Sequence, residues 1–242
     1  MLYVDVFLVT QRVFSQLAPF QVSMSVSGFL YGYLAWELGH FVAHWSCHKV
    51  RLLWCLHSTH HAPTHMNLAV ANANFFYQAA YSIFVKTAVC SALGVTTEIL
   101  VLIAVIDACW GGLIHVSEEA WRKGRLPSFL NKIILSPIHH RIHHGCNPEY
   151  IDKNYCNTLP LWDKVFGTFQ DEIKGVPVRY GVTRGVKEGC FFDLYFGEFL
   201  LLGRDLVNAD SAREVMLYLF MPPGWTPRRI ADERAPQPLG RG

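Results

Sequence analysis

The sequence predicts an all-α fold of integral membrane helices, with about three to four spans, beneath a cytosolic helical cap that holds a histidine-rich dimetal site. Three observations predict this fold. Hydrophobic residues make up 51% of the 242 residues and charged residues only 17%, whereas soluble domains contain about 25% charged residues. The longest apolar segments lie before Ser117, whereas 17 of the 21 Lys and Arg residues lie after it. All 12 histidines fall between positions 40 and 144, and the length suggests a single domain over residues 1–242.

The N-terminal part of the chain supplies the predicted spans. Residues 1–19 are apolar but interrupted by Asp5, Gln11 and Arg12, which predicts an interfacial helix or a partial span. Residues 20–116 hold the first histidine block and three apolar segments, Phe20–Ala43, Leu68–Ala92 and Thr97–Ile114. A bilayer requires about 20 mostly apolar residues per helix, which the third segment meets only marginally.

The second and third segments are expected to form a helical hairpin. Gly94 can end one helix and Thr96 can cap the next. A hairpin would return the chain to the side that it left, so the two histidine blocks would share one face. Lys49 and Arg51 after the first segment, together with the basic C-terminal half, predict that this face is cytoplasmic in a multi-pass membrane protein.

The C-terminal part is expected to build the cap. Residues 117–170 hold the second histidine block, and residues 171–242 form the C-terminal cap with a loosely ordered tail from Arg228. The aromatic segments Cys190–Leu202 and Val215–Met221 predict interfacial or core helices, and the run Pro222-Pro223-Gly224-Trp225 ends helical structure.

The histidines follow metal-ligand spacing. His40, His44 and His48 are four residues apart, which places them on one face of a helix. HSTHH contributes His57, His60 and His61, and HRIHH contributes His140, His143 and His144. One HxxxH and two HxxHH motifs offer eight imidazoles, too many for one ion, since a closed zinc site takes about four ligands. Two metals follow, although imidazole suits Zn, Cu, Fe and Ni alike.

The predicted metal ligands are nine histidines, and no catalytic residue separate from them is predicted: His44, His48, His57, His60, His61, His115, His140, His143 and His144. A further set either ligates a metal or supports a ligand: His40, His65, His139, Glu37, Asp107, Glu118, Glu119, Asp152 and Asn154. For Glu118 and Glu119 a solvated helix end is the alternative. For Glu37 and Asp107 it is a polar contact between spans.

These motifs resemble those of the fatty acid hydroxylase and sterol desaturase superfamily over about Glu37 to Phe169. The resemblance rests on Glu37 followed by HWSCH, then Leu53-Trp54, HSTHH and Asn67, although Ala73 replaces the basic residue that is frequent in the family. The segment SPIHHRIHHGCNPEYIDKNYCNTLPLWDKVFGTF and the later Tyr180-Gly181-Val182-Thr183 are similar to the alkylglycerol monooxygenase-like branch.

The resemblance implies an O2-dependent oxidoreductase with two Fe2+ ions that hydroxylates or desaturates an aliphatic C–H bond of a lipid, such as an ether lipid, a fatty acyl chain or a sterol. Electrons are expected from an external donor, such as a tetrahydropterin or a cytochrome or ferredoxin system, because the sequence contains no GxGxxG pattern. The expected partners are this donor, the lipid and the membrane, with no nucleic acid. Two alternatives stay open: a membrane metal- or haem-binding protein without oxygenase activity, and a zinc-dependent lipid hydrolase.

Overall fold

The all-α prediction is confirmed by the computed structural model, which describes residues 1–187 and 189–227. Within these residues the chain forms nine α-helices, and extended backbone pairs only at isolated bridges. The helices are α1 (Leu2–Phe14), α2 (Val26–Lys49), α3 (Arg51–His61), α4 (Gln78–Ala92), α5 (Thr97–Leu113), α6 (Pro137–His143), α7 (Leu161–Phe166), α8 (Phe191–Val207) and α9 (Ala212–Phe220). Short 3-10 turns lie at Ser15–Leu17, Leu68–Asn72 and Leu130–Lys132.

Helix α2 is the central element, since α3, α4 and α5 all pack against it. The helix begins where the Ser25 hydroxyl accepts a hydrogen bond from the backbone N–H of Gly28 at 3.0 Å, an ordinary N-terminal cap. Tyr33 and Trp36 of α2 pack against the fully buried Ile99 and Ile103 of α5. This packing places the C-terminal half of α2, which carries three histidines, beside the C-terminal end of α5.

Two of the predicted span boundaries are wrong. The first segment, Phe20–Ala43, becomes a helix only from Val26. The second, Leu68–Ala92, contains a 3-10 turn and a break before α4. Asn67 accepts from the backbone N–H of Ala69 at the start of the 3-10 turn, and Asn74, in the break, donates to the carbonyl of Ala71. Such side-chain bonds to the backbone compete with helical hydrogen bonds. The hydropathy averaged over a segment does not reveal them.

The third predicted segment, Thr97–Ile114, matches α5 within one residue. Within the described residues, we find no helix that combines the length and the hydropathy required to cross a bilayer.

The turn between α4 and α5 lies where the sequence predicted it. Gly94 has a φ of +80°, a conformation that glycine adopts without strain, and a Cβ there would lie 2.3 Å from the carbonyl oxygen of Phe20. Thr96 occupies the cap position of α5, although its side chain makes no capping hydrogen bond. In the described structure α5 packs mainly on α2, and α4 on α1 and α2. The two helices are therefore connected as a hairpin but are not packed along each other.

The cap is built from the remaining helices. Helices α8 and α9 pack on α3 around Cys55, Leu202 and Tyr218, so the two predicted C-terminal helices form part of a core. Helix α8 continues past the predicted end at Leu202, α9 begins before the predicted start at Val215, and the break at Pro222 follows α9 as expected. The predicted loose tail from Arg228 lies outside the described residues.

Candidate metal centre

The first of two histidine groups in the described structure lies where α2, α3 and α6 meet. One ring nitrogen from each of its five members lies within 4.8 Å of the others. Nε2 of His57 lies 3.0 Å from Nε2 of His44 and 3.1 Å from Nε2 of His61. We call this set the first histidine group: His44, His48, His57, His61 and His143.

The second histidine group adjoins the first and is equally compact. Nε2 of His140 lies 2.9 Å from Nε2 of His115 and 3.1 Å from Nε2 of His144, and Nε2 of His60 lies 3.3 Å from that of His115. All four side chains are buried. The set comprises His60, His115, His140 and His144.

The two HxxHH motifs divide between the groups in a reciprocal way. The i, i+4 pair His57 and His61 lies in the first group, and the corresponding pair His140 and His144 lies in the second. The remaining histidine of each motif, His60 or His143, lies in the other group. This division follows from helix geometry, because residues four apart share a face whereas a neighbour in sequence is rotated by about 100°. The rings of His61 and His144 stack at 4.4 Å between centroids, which joins the groups.

In several of these rings, a backbone carbonyl binds one nitrogen and leaves the other nitrogen available to bind a metal. Nδ1–H of His44 donates to the carbonyl of Tyr155 at 2.8 Å, and Nδ1–H of His143 donates to that of Lys153 at 2.8 Å. Each neutral ring therefore presents an Nε2 lone pair to its group. In the second group His115 is held in the same way by the carbonyl of its helix neighbour Gly111, at 2.6 Å.

The residues present fit a bound metal ion in each group. Lone pairs that face each other at about 3 Å repel unless a proton or a metal cation lies between them. Metal–imidazole bonds of about 2.0–2.1 Å place adjacent ligand nitrogens about 2.9–3.4 Å apart, which matches the separations of 2.9 to 3.3 Å observed here. Nε2 of His48 and Nε2 of His143 are buried without any hydrogen-bond partner, as expected for metal-directed nitrogens.

Burial keeps these imidazoles neutral. Desolvation lowers the pKa of His60 to about 3, further depressed by His115, and it lowers the pKa of His115 to about 4. Desolvation and the neighbouring rings hold the pKa of His143 and His144 well below the ordinary value of 6.5. Neutral imidazole is the form that binds metal, so the centre is ready for metal at neutral pH.

The predicted acidic residues of the helices lie apart from both groups. Oδ2 of Asp107 lies 4.0 Å from Nδ1 of His40 and 3.6 Å from Nζ of Lys86. Glu37 is fully buried, and its Oε1 accepts from the backbone N–H of Thr158 at 3.0 Å. His40 contacts His44 edge to face, so it borders the first group without belonging to it.

The acidic and amide residues after the second motif support the centre from outside. Oδ1 of Asp152 lies 3.7 Å from Nδ1 of His48, and its other oxygen binds Lys49. Asn154 donates to the carbonyl of His139 at 3.0 Å. His139 itself accepts from the backbone N–H of Ser136 at 3.1 Å and lies outside both groups.

The three other predicted residues lie on the surface. Glu118 accepts a hydrogen bond from the Tyr180 hydroxyl and is exposed. Glu119 is exposed, and so is His65, whose Nδ1 contacts the hydroxyl of Thr64 at 3.1 Å. None of the three belongs to the two groups found among the described residues.

Two features of the site have no motif that could have predicted them. The side-chain amide of Gln78 contacts Nδ1 of His57 from helix α4, and backbone carbonyls orient His44 and His143. A carbonyl acceptor has no residue signature. Asp152 and Asn154, by contrast, were among the residues that the sequence indicated, and both adopt positive φ (62° and 56°) on either side of Lys153, a conformation that Asp and Asn adopt more readily than most non-glycine residues.

A cavity of about 410 Å³, called the shared cavity, adjoins histidines of both groups. Besides His44 and His57 of the first group it contacts His60, His115 and His140 of the second. Much of its remaining wall consists of small residues, including Ala43, Ala71, Ala108, Gly111 and Gly112. A molecule in this cavity would contact both groups.

A different cavity, called the cap cavity, has a volume of about 460 Å³ and adjoins the first group only, at His48, His61 and His143. Its wall mixes aromatic and charged side chains of the cap, among them Trp54, Trp225, Arg51, Asp205, Arg184 and Glu198. Arg51 and Arg184 are paired there with Asp205 and Glu198, at 2.6 and 2.7 Å.

Comparison with protein families gives a match to the family model described as fatty acid hydroxylase, over residues 29–168. This range contains all 12 histidines.

Curated relatives include alkylglycerol monooxygenases, with 30% identity over 213 residues for Xenopus tropicalis (86% of this chain and 45% of the relative) and 28% over 214 residues for Homo sapiens (86% and 46%). An ornithine lipid hydroxylase OlsE of Rhizobium tropici is 25% identical over 181 residues (75% and 53%). The chain spans about half the length of the curated relatives it matches. No solved structure is significantly similar.

Proposed function

The chain belongs to the fatty acid hydroxylase family, and from this premise we propose that it is a membrane-bound oxidoreductase that uses two ferrous ions and dioxygen to hydroxylate an aliphatic C–H bond of a lipid. The single observation that carries the proposal is the convergence of nine buried or half-buried imidazoles into two adjoining groups. The relatives named as alkylglycerol monooxygenases and as an ornithine lipid hydroxylase support a lipid substrate.

Each histidine group would hold one iron ion. Imidazole also binds zinc, but zinc has no redox chemistry, and a monooxygenase reaction reduces dioxygen. The two ions, when bound, supply the oxidising power with which dioxygen attacks an otherwise unreactive C–H bond. The protein supplies the ligand nitrogens, and the carbonyls of Tyr155 and Lys153 keep the rings of His44 and His143 in the required tautomer.

The shared cavity is the proposed site for the reacting part of the substrate. It borders both groups, and its alanine and glycine wall leaves room for an aliphatic chain beside them. The buried rings of His57 and His140 both line the cavity, so a substrate carbon held there would lie beside both groups. Asp107 lies on the same wall and is the proposed polar contact for a substrate hydroxyl.

The cap cavity is the proposed approach for the electron donor. It borders only the first group and lies among charged side chains of the cap, which suits a polar donor better than an aliphatic chain. We propose a tetrahydropterin or an electron-transfer protein such as a cytochrome or a ferredoxin.

A bilayer is the proposed surrounding of α1, α2 and α5. These helices expose large apolar side chains away from the centre, such as Leu8 on α1, Leu30 on α2, and Val101 and Val105 on α5, each more than half exposed. Exposed apolar surface on this scale is a mark of an interaction surface or a lipid contact. The basic residues that follow α5 support a cytoplasmic position of the centre.

Labelled oxygen tests the proposal directly. The protein is purified in detergent, loaded with ferrous iron and a chemical reductant, and supplied with 18O2 and an alkylglycerol, an ornithine lipid or a fatty acyl lipid. We expect lipid-dependent oxygen uptake and one labelled oxygen atom in the oxidised product by mass spectrometry. His143→Ala should abolish both signals, whereas His65→Ala, which changes an exposed histidine outside both groups, should keep most of the activity.

The same assay separates the alternatives. A zinc hydrolase would act without oxygen and incorporate oxygen from water, and a haem protein would show a Soret band. Turnover under strict anaerobic conditions, or equal loss of activity in the His143→Ala and His65→Ala variants, would contradict the proposal.

A further inference from the structure

Arg141 is a fully buried arginine in the middle of the HRIHH motif. Its side chain has 0% relative exposure, and in the described structure its guanidinium forms no ion pair with a carboxylate. A buried charge without a partner is costly. Other groups must therefore stabilise the charge of the buried guanidinium.

Four backbone carbonyls take the place of a carboxylate. Nη2 of Arg141 donates to the carbonyls of Val116, Ser117 and Trp121 at 2.8, 2.9 and 3.0 Å, and Nη1 donates to that of Arg122 at 3.4 Å. The planar fork of the guanidinium can bind several acceptors at once. All four acceptors belong to one loop, residues 116–122, which we call the Arg141-bound loop.

The Arg141-bound loop begins directly after His115. Arg141 itself directly follows His140, whose Nε2 lies 2.9 Å from Nε2 of His115. The guanidinium therefore joins the two chain segments that supply three of the four histidines of the second group, His115 on one and His140 and His144 on the other. Gly124 packs against it with φ +54°, and a Cβ there would lie 2.5 Å from Nη1 of Arg141.

We propose that Arg141 is a positioning residue for the second histidine group, which holds His115 against His140 and so sets the metal affinity of that group. The inference rests on the proposed function, because it takes each group to hold an ion. The Arg141-bound loop contains no member of the first group. His143 of the first group lies two residues from Arg141 on α6, but it is held separately by the carbonyl of Lys153, so loss of Arg141 should weaken the second metal site selectively. A purely structural role would instead weaken both sites together.

The test is iron content per chain in purified, iron-loaded protein, by elemental analysis. Arg141→Met should lower the content from two ions to one. Arg122→Met, the same change at an exposed side chain of the same loop, keeps its carbonyl and should retain two. To identify the remaining ion, His143→Ala added to Arg141→Met should remove it, whereas His60→Ala added to Arg141→Met should change nothing.

Arg141→Lys and Gly124→Ala keep the test decisive if Arg141→Met fails to fold. Lysine retains the charge with fewer donors, and the Gly124 change displaces the guanidinium. Each variant should lower the affinity for one of the two iron ions about 10- to 100-fold, measured by competition with a chelator. This is the range observed when groups that support metal ligands are changed. Two ions of unchanged affinity in these variants, or equal weakening of both ions, would overturn the inference. Wild-type protein that binds no iron would instead contradict the proposed function.

Discussion

At the scale of single residues, the imidazoles are oriented by the main chain more than by carboxylates. The sequence pointed to Glu37 and Asp107 as acceptors for ligand imidazoles, but His44 and His143 donate to backbone carbonyls, and Glu37 binds a backbone N–H. A carbonyl acceptor depends on the path of the chain and leaves no trace in residue identity. Apart from His115, the histidines of the two groups are therefore predictable from motif spacing, whereas the groups that orient them are not.

Asp163 is a residue that sequence patterns did not single out, although the site depends on it. Its carboxylate is fully buried and accepts from the backbone N–H groups of Tyr155 and Cys156, each at 2.8 Å, and from the hydroxyl of Thr168 at 2.6 Å. These bonds hold the segment whose Tyr155 carbonyl orients His44.

Asp163→Asn is predicted to destabilise the protein. The amide can accept only at its oxygen, so at least one buried N–H would face an N–H of the new side chain. Hydrogen bonds to charged groups contribute about 1.5–3 kcal/mol each, and we expect a loss of about 2–4 kcal/mol in the free energy of unfolding, measured as a lower Tm. Asp5→Asn, at an exposed position of α1, is the control. An unchanged Tm in Asp163→Asn would contradict this role.

At the scale of elements, the position of α2 against α4 sets where His40, His44 and His48 lie. The two helices approach closely at Gly39, where a Cβ would lie 2.9 Å from Cα of Lys86. Because this contact is with backbone, no rotamer change can relieve it.

Gly39→Ala is therefore predicted to destabilise the protein, although alanine favours helix by about 1 kcal/mol over glycine. Overpacking costs about 1–3 kcal/mol. Displacement of α2 would also move His44 and His48, so the variant should bind iron less tightly. Gly112→Ala on α5, where a Cβ would meet nothing within 4 Å, should be neutral or slightly stabilising. Thermal unfolding measures the change in stability, and chelator competition measures the change in iron affinity. Equal stability and equal iron affinity in the two variants would contradict the close contact of α2 and α4 at Gly39.

Sequence patterns predicted the position of some helices and missed one break between them. The HxxHH motifs lie on α3 and at α6, as their spacing indicates, and Gly94 ends α4. The break before α4 was missed because Asn67 and Asn74 act through local hydrogen bonds that average hydropathy hides. Helix geometry separates the i, i+4 pair of each motif from its third histidine, but the assignment of each part to a group could not be predicted, since it depends on how α3 and α6 face each other.

At the scale of the whole molecule, burial of the histidines predicts acid sensitivity of the metal-free protein. In the unfolded chain these groups bind protons near pH 6.5, whereas burial lowers the pKa of His115 to about 4 and that of His60 to about 3 in the folded protein. As the pH falls below about 6.5 the unfolded state binds more protons than the folded state, so stability decreases. The decrease should continue down to the folded pKa values.

Denaturation of the metal-free protein between pH 7.5 and 5 measures this effect. Each neutral buried histidine contributes at most about 1.4 kcal/mol per pH unit, so the double variant His60→Asn with His115→Asn should show a shallower pH dependence than the wild type. Stability that is constant or rises on acidification would contradict the burial of neutral imidazoles.

The convergence of distant segments is the part of the whole fold that the sequence predicted best. Segments around His57 and His143 meet at one end of the helices, as two motifs of the same chemistry suggest. The cavities were not predictable, because their walls combine residues such as Ala71, Ala108 and Trp225 from separate elements. Their shapes depend on packing rather than on a local pattern.

The most direct test of the two-metal centre is the number of iron ions bound per chain after anaerobic loading of the detergent-purified protein with Fe2+. Two ions per chain are predicted, with one lost in His143→Ala and one lost in His60→Ala, because these histidines belong to different groups. A wild-type chain that binds one ion or none would contradict the account.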